Sequence, residues 1–393
     1  MSAFAAAMTD IGTGAIATIQ VFGDSGEAIL KEIFKPTGTK PAAFKTGKIL
    51  LGTINDGAET IDQVIIGCEA ADTFAINCHG NPLIVETIME MLQREGAKLL
   101  TAEQLLAKTL QAQAPINTIA LEAKLTLPKA KTLAGAKIVT NQIEAGLGKK
   151  ASEWLQNLDV VPLKQIKAEA GQILNNSAAA RLIITGCKVA IIGPPNTGKS
   201  TLLNCLSGRQ KAIVTDIKGT TRDWVSAQCQ IPPLALELFD TAGLDERLAA
   251  ASKDSIAKAA QKKSLQILKQ ADLILLVLDN SEPASQLDDQ LVKKVAGKLV
   301  LTVLNKSDLP AKLETAELSE ILANTVTISA KFARGIEDLA EKIRQICGVA
   351  DFDLCQPVCV TARQENLLKR LKKATSRPQA ASIIMELLNG PIE

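Results

Sequence analysis

The run Gly193-Pro194-Pro195-Asn196-Thr197-Gly198-Lys199-Ser200 has the residue types and spacing needed to hold a polyphosphate. It fits G-x-x-x-x-G-K-S and directly follows the apolar run Val189-Ala190-Ile191-Ile192. Glycines let the backbone wrap tightly so that its amides face phosphate oxygens, and a helix starting beside them adds its positive end. Lys199 is expected to reach the β- and γ-phosphates, and the Ser200 hydroxyl to ligate magnesium. Asn196, Thr197, Gly198 and Thr201 complete the expected phosphate-binding set. A glycine-rich turn with no ligand is the competing reading, weakened by the strand before and the helix after.

Four further motifs follow in an order that makes sense only together. Gly219-Thr220-Thr221-Arg222-Asp223 offers Thr221 as a second hydroxyl on magnesium, closing when the γ-phosphate is present. Asp240-Thr241-Ala242-Gly243 ends the run Leu236-Glu237-Leu238-Phe239. There Asp240 can hold magnesium through water, and Gly243 can offer its amide to the γ-phosphate. Asn305-Lys306-Ser307-Asp308 ends a second apolar run, Leu299 to Leu304. Guanine presents an N1–H and an N2 amine on one edge, and the single Asp308 carboxylate can accept from both. Adenine has no such pair, so the motif selects GTP over ATP. Asn305 steadies this loop and Lys306 can cover the ring. Finally, Ser329-Ala330-Lys331 can bring a backbone amide to guanine O6.

These motifs must be held by alternating strands and helices. Candidate strands are 187–192, 225–231, 234–239, 273–278, 299–304 and 325–328, and helical segments separate most of them. That alternation predicts an α/β fold with a mostly parallel sheet covered on both faces. Ahead of it, residues 1–100 read as a small α/β domain, with strands at 15–21, 64–66 and 73–77 and an amphipathic helix over 82–94. Residues 101–180 and 351–393 read as two parts of one helical domain, into which the nucleotide domain of 181–350 is inserted.

Composition narrows the class. Hydrophobic residues make 47% and charged residues 22%, ordinary for a globular protein, and no apolar run is long enough to span a membrane. A cytoplasmic location is the default expectation. The net charge of +2 gives no broad nucleic-acid footprint, and aromatic residues are too scarce for a base-stacking platform. The basic cluster Arg363 to Arg377 reads as a solvated helix face. Eight cysteines with a single histidine, His79, read as buried reduced thiols rather than zinc ligands.

The wording GPPNTGKST, GTTRD, DTAGL, NKSD and SAK resembles the translation-factor class of small GTPases. More narrowly, nearly the whole chain resembles the tRNA-modification GTPase family (MnmE/TrmE). Phe74-Ala75-Ile76-Asn77-Cys78-His79-Gly80-Asn81 is similar to that family's Ile-x-Cys-His-Gly-Gly stretch, and Gly12 to Ile19 to its opening strand. Val360-Thr361-Ala362-Arg363-Gln364 resembles the restart of its helical domain. The resemblance implies an N-terminal folate-binding domain that dimerises, a helical domain and an inserted GTPase domain. It implies a flavin-dependent partner protein, with which such enzymes modify C5 of the tRNA wobble uridine. It also implies a potassium ion held partly by the P-loop asparagine, here Asn196, beside the phosphates.

Two readings stay open. After DTAG stands Leu244 rather than a water-positioning glutamine, and the segment to Gln270 has no glutamate beyond Glu246. Asp254 is the acid retained as a catalytic candidate with Lys199 and Thr221. Glu246 and Asp245 are its rivals, and solvated surface charge is the competing reading of all three. The chain also ends at Leu388-Asn389-Gly390-Pro391-Ile392-Glu393, where the family carries a Cys-x-Gly-Lys tail. The first reading is a GTPase acting in tRNA modification. The alternative is a GTP-dependent switch or scaffold that modifies no tRNA.

Overall fold

The computed structural model describes residues 2–10, 12–38, 43–113, 117–208, 226–240, 266–287, 292, 295–314 and 324–391. By contact density the chain falls into two units, the first spanning 1–116 and the second essentially 117–393.

The first unit is a seven-stranded sheet in the order β3-β4-β5-β6-β2-β1-β7. Its strands are β1 (Ala3–Ala7), β2 (Ile16–Phe22), β3 (Phe34–Pro36), β4 (Ile49–Asp56), β5 (Glu59–Cys68), β6 (Thr73–His79) and β7 (Ala97–Leu99). Only the β1–β7 pair is parallel. Inward positions of β2, β5 and β6 (Ile19, Val21, Val64, Ile66, Phe74, Ile76) form a core with α1 (Gly26–Ile33) and α2 (Pro82–Arg94). Period-2 alternation makes this face. On the other face Leu51 and Ile65 are cross-strand partners, and with Ile49 they are exposed. The helix over 82–94 is found as predicted, started by Asn81, whose side chain accepts the Leu83 amide, and by Pro82.

The sequence reading places strands at 15–21, 64–66 and 73–77 and does not place β1, β3, β4, β7 or α1. The alanine-rich start is a strand, with Ala5 and Ala6 fully buried. Alanine has little strand propensity, and the pairing of β1 with both β2 and β7 overrides it. By contact density the helix α3 (Ala102–Gln113) groups with this unit.

The second unit opens with α4 (Thr118–Thr126), α5 (Leu133–Glu144), α6 (Gly146–Gln156) and α7 (Leu163–Thr185). Asn117 and Thr132 cap α4 and α5 by accepting the Ala120 and Gly135 amides. The chain then passes through Gly186, at φ 84°, into a six-stranded sheet of order β13-β12-β11-β8-β10-β9. Its strands are β8 (Cys187–Ile192), β9 (Ser226–Ile231), β10 (Leu234–Asp240), β11 (Leu273–Asp279), β12 (Val300–Asn305) and β13 (Thr325–Thr327). All pairs are parallel except β9–β10. Every residue of β11 and β12 is buried, as strands covered on both faces must be. The helix α8 (Lys199–Gly208) follows β8, and α9 (Ile336–Ile346) follows β13.

After the sheet the chain returns to helices, α10 (Ala362–Lys373) and α11 (Arg377–Asn389). These share a core with α6 and α7 through Trp154, Ile166, Ile173, Leu368, Ile384 and Leu387. A buried polar knot joins the two helical stretches. Glu122 of α4 accepts from Arg363 Nε at 2.8 Å and Nη2 at 2.9 Å, from Gln364 Nε2 at 2.7 Å and from the Thr361 hydroxyl at 2.8 Å. Arg363 also donates to the carbonyls of Glu386 and Leu387 at the end of α11. Glu122 is 2% exposed and Arg363 7%, so Arg363 is no part of a solvated basic face.

All eight cysteines are free, and six of them are buried. Burial, helped by the Asp62 carboxylate, pushes the Cys78 thiol up to about 11, and burial lifts Cys359 to about 12. Such thiols stay protonated and inert near neutral pH. Cys355 departs from expectation and is exposed. No cluster of metal-ligating side chains occurs among the described residues.

Candidate functional site

The site lies along the C-terminal ends of β8, β10, β11 and β12, where open parallel sheets bind ligands. The phosphate loop runs from Gly193 to Gly198 between β8 and α8. Gly193 has φ 150°, and a Cβ there would sit 2.1 Å from the Val277 carbonyl oxygen of the neighbouring strand β11. Gly198 has φ 92°, and a Cβ there would meet the Asn305 amide nitrogen at 2.4 Å. Only glycine fits either position. Asn196, at the exposed tip of the loop, takes the left-handed conformation at φ 62°. Of non-glycine residues asparagine is among the few that tolerate it.

Inside the loop the Lys199 ammonium donates to the Pro194 carbonyl at 2.7 Å, and the Thr197 hydroxyl to the same oxygen at 3.1 Å. Lys199 is buried, so its charge is held within the loop. Thr201 stands exposed in the first turn of α8. Ser200, beside it, donates its hydroxyl to Asp240 Oδ2 at 2.8 Å, joining the start of α8 to the end of β10. A hydroxyl beside a carboxylate is a hard oxygen donor set, the chemistry magnesium prefers.

The base-recognition loop is tied to the phosphate loop through one side chain. Asn305, buried at the end of β12, donates from Nδ2 to the Thr197 carbonyl at 2.9 Å. Its Oδ1 accepts the Ala330 amide, also at 2.9 Å. One amide therefore fixes the phosphate loop, the Asn305–Asp308 loop and the Ser329–Lys331 loop relative to one another. Asp308 accepts the Ser329 hydroxyl at 2.5 Å, and that bond, with the charges of Lys331 and Arg334 adding, holds its carboxyl below the usual range. Asp308 is therefore ionised throughout the physiological range, ready to accept two guanine protons. Ser329 itself is fully buried, and Lys331 is exposed with its ammonium over the Phe332 ring.

Lys306 has φ 64°, and its ammonium bonds to Asp279 Oδ2 at 2.5 Å. Burial pushes the Asp279 carboxyl up, yet Lys306 and the Ser281 hydroxyl and amide outweigh it and hold the group below the usual range. Asp279 was not singled out from the sequence. Its only signal there is an acid ending the apolar run Leu273–Leu278, one strand away from Asn305. Thr221, Gly243, Asp254, Asp245 and Glu246 lie outside the described residues.

A phosphate loop, a Ser–Asp pair suited to magnesium and an aspartate-bearing base loop, all at one end of a parallel sheet, define a P-loop GTPase, a hydrolase acting on GTP. The comparisons agree. The family model described as 50S ribosome-binding GTPase matches residues 188–306, and that described as GTP-binding protein TrmE N-terminus matches residues 3–104. The tRNA modification GTPase MnmE of Bacillus subtilis (strain 168) is 33% identical over 385 residues, covering 88% of this chain and 82% of that protein. The protein of the same description from Enterococcus faecalis (strain ATCC 700802 / V583) is 31% identical over 424 residues, covering 98% and 88%. The chain belongs to the tRNA modification GTPase (MnmE) family.

Proposed function

We propose that this chain binds GTP with magnesium across the Gly193–Thr201 and Asn305–Asp308 loops, hydrolyses it, and uses the cycle in modification of tRNA. The observation that carries the nucleotide part is the Asn305 side chain, which joins the phosphate and base loops directly. Magnesium would be held by Ser200, by Thr221 and, through water, by Asp240, and it would neutralise charge developing on the phosphates. Lys199 would contact the β- and γ-phosphates, Gly243 the γ-phosphate through its amide, and Ala330 guanine O6 through its own. Asp254 is the proposed acid near the attacking water.

The tRNA part rests on family membership and on the match at 3–104. In the three-part organisation proposed here the nucleotide domain, about 181–350, is inserted between two helical parts. A cytoplasmic location, a flavin-dependent partner protein and wobble uridine as the modified base belong to the same reading. A homodimer through the first unit is supported by the exposed apolar stripe Ile49, Leu51 and Ile65 on its open sheet face. A folate derivative is the proposed ligand of that unit. There the buried Asp62 carboxylate meets His79 Nδ1 at 2.7 Å and accepts the His79 amide at 2.8 Å, which fixes the orientation of the ring. No described helix is long and apolar enough to cross a membrane.

The test is modified-nucleoside analysis of tRNA from cells lacking the protein. Loss of the C5 modification at wobble uridine is expected. Unchanged wobble uridines, with GTP binding retained, would make the chain a GTP-dependent switch instead.

Potassium is the proposed second cation, with the Asn196 amide oxygen among its donors. It would stabilise charge beside the β- and γ-phosphates where other GTPases receive an arginine from a partner. Asn196→Ala should therefore keep GTP binding and lose any stimulation of turnover by potassium over sodium. An equal response to potassium in variant and parent would remove Asn196 from that role.

A further inference from the structure

The segment that follows β11 is bonded at several points to the segment that follows β12. The Asn280 amide donates to the Asn305 carbonyl at 2.8 Å, and the Lys312 amide to the Asn280 carbonyl at 2.9 Å. Gln286 brackets Asp279, accepting its amide and donating to its carbonyl, both at 2.9 Å. The Asp279 carboxylate is thus fixed from behind: Oδ1 takes the Ser281 amide at 2.9 Å and hydroxyl at 2.7 Å. Its other oxygen, Oδ2, takes Lys306 at 2.5 Å. Nothing in the magnesium or phosphate chemistry uses this carboxylate.

Lys306 sits between Asn305, which ties the loops together, and Asp308, which reads the base. A lysine has two parts with different uses: an apolar four-carbon stem, which can lie on a ring face, and an ammonium that seeks an acceptor. Left without an anchor the stem samples many rotamers, and ordering it on ligand binding costs entropy. Here the ammonium is anchored on Asp279. Lys306 has a left-handed backbone, φ 64°, and its side chain reaches Asp279 at the end of β11.

We propose that Asp279 is a positioning residue for guanine recognition, tying down the Lys306 ammonium so that the methylene stem is preset as a platform for the purine face beside Asp308. This rests on the reading of Asn305–Asp308 as the guanine loop. Asp279 acts only through Lys306. Its removal therefore weakens guanine nucleotides when Lys306 is present and does nothing further once that lysine is gone.

The experiment is a double-mutant cycle on the full chain, with GDP affinity read by calorimetry for the parent, Asp279→Asn, Lys306→Met and the double variant, and with Asp308→Asn alongside. Asp279→Asn keeps the shape of the side chain and removes the charge. We expect it to weaken GDP about tenfold in the parent. In the Lys306→Met background the same change should shift affinity by less than about twofold, since independent sites add and coupled ones do not. A merely structural role would give the same loss in both backgrounds, and that result overturns the proposal, as does an unchanged affinity in Asp279→Asn. If Asp308→Asn also leaves GDP affinity unchanged, the guanine loop itself is misassigned and both readings fall. Loss in Asp308→Asn without loss in Asp279→Asn overturns the role of Asp279 alone.

Discussion

Asp308→Asn should weaken GTP and GDP by about 10²–10³-fold and should turn the site toward xanthine nucleotides. The carboxylate makes two charge-assisted hydrogen bonds to guanine N1–H and N2, each worth about 1.5–3 kcal/mol. An asparagine offers one acceptor oxygen and an NH2 group, and that group would face the N2 amine donor to donor. Xanthine carries an oxygen in place of the N2 amine, so the new amide can donate to it and the pairing is restored. The fold should be little affected, because Asp308 is near the surface and its internal partner, the Ser329 hydroxyl, can donate equally to an asparagine oxygen. Affinities for GDP and xanthosine diphosphate measured on one preparation check this. Equal loss for both nucleotides would show that Asp308 supports the loop without reading the base.

Glu122→Ala is expected to have the largest effect on stability. Four donors converge on this carboxylate, all from Thr361, Arg363 and Gln364 within four residues of chain, and one of the three side chains is a buried guanidinium bound through two nitrogens. Truncation leaves Arg363 charged, buried and without its anion, which costs about 3–5 kcal/mol. Replacing both partners by apolar residues, Glu122→Leu with Arg363→Met, should cost less than Glu122→Ala alone, because no charge is then stranded. Denaturant unfolding followed by helix signal reports the difference. A single-variant loss under about 1 kcal/mol would show that water reaches the knot and compensates it.

The same knot shows what a sequence conceals. Residues 360–364 drew notice for their wording, yet the reason for that wording lies 239 or more positions upstream, in a glutamate that reads as one more helical charge. Loop closure on that scale leaves no local signal. Local rules served best where burial is nearly complete: the runs forming β8, β11 and β12 are mostly apolar and buried, Lys188 of β8 alone being exposed, and their ends deliver Gly193, Asp279 and Asn305 to one edge. The strand β1 failed those rules because its pairing partners, rather than its alanines, make it a strand. Gly193 and Gly198 were readable as loop glycines. That Gly198 is pressed on by Asn305, 107 positions later by number, needed the fold. Asp279 was missed for the same reason: an acid closing an apolar run looks like a strand end until Lys306 is seen on it.

GTP turnover by the full chain, compared with ATP turnover and repeated for Asp308→Asn, bears most directly on the nucleotide site from which the rest follows. The expected result is magnesium-dependent hydrolysis of GTP, faster in potassium than in sodium, with ATP inert and the GTP activity of the variant lost at concentrations that saturate the parent. Hydrolysis of ATP at the rate of GTP, or GTP turnover untouched by Asp308→Asn, would contradict it.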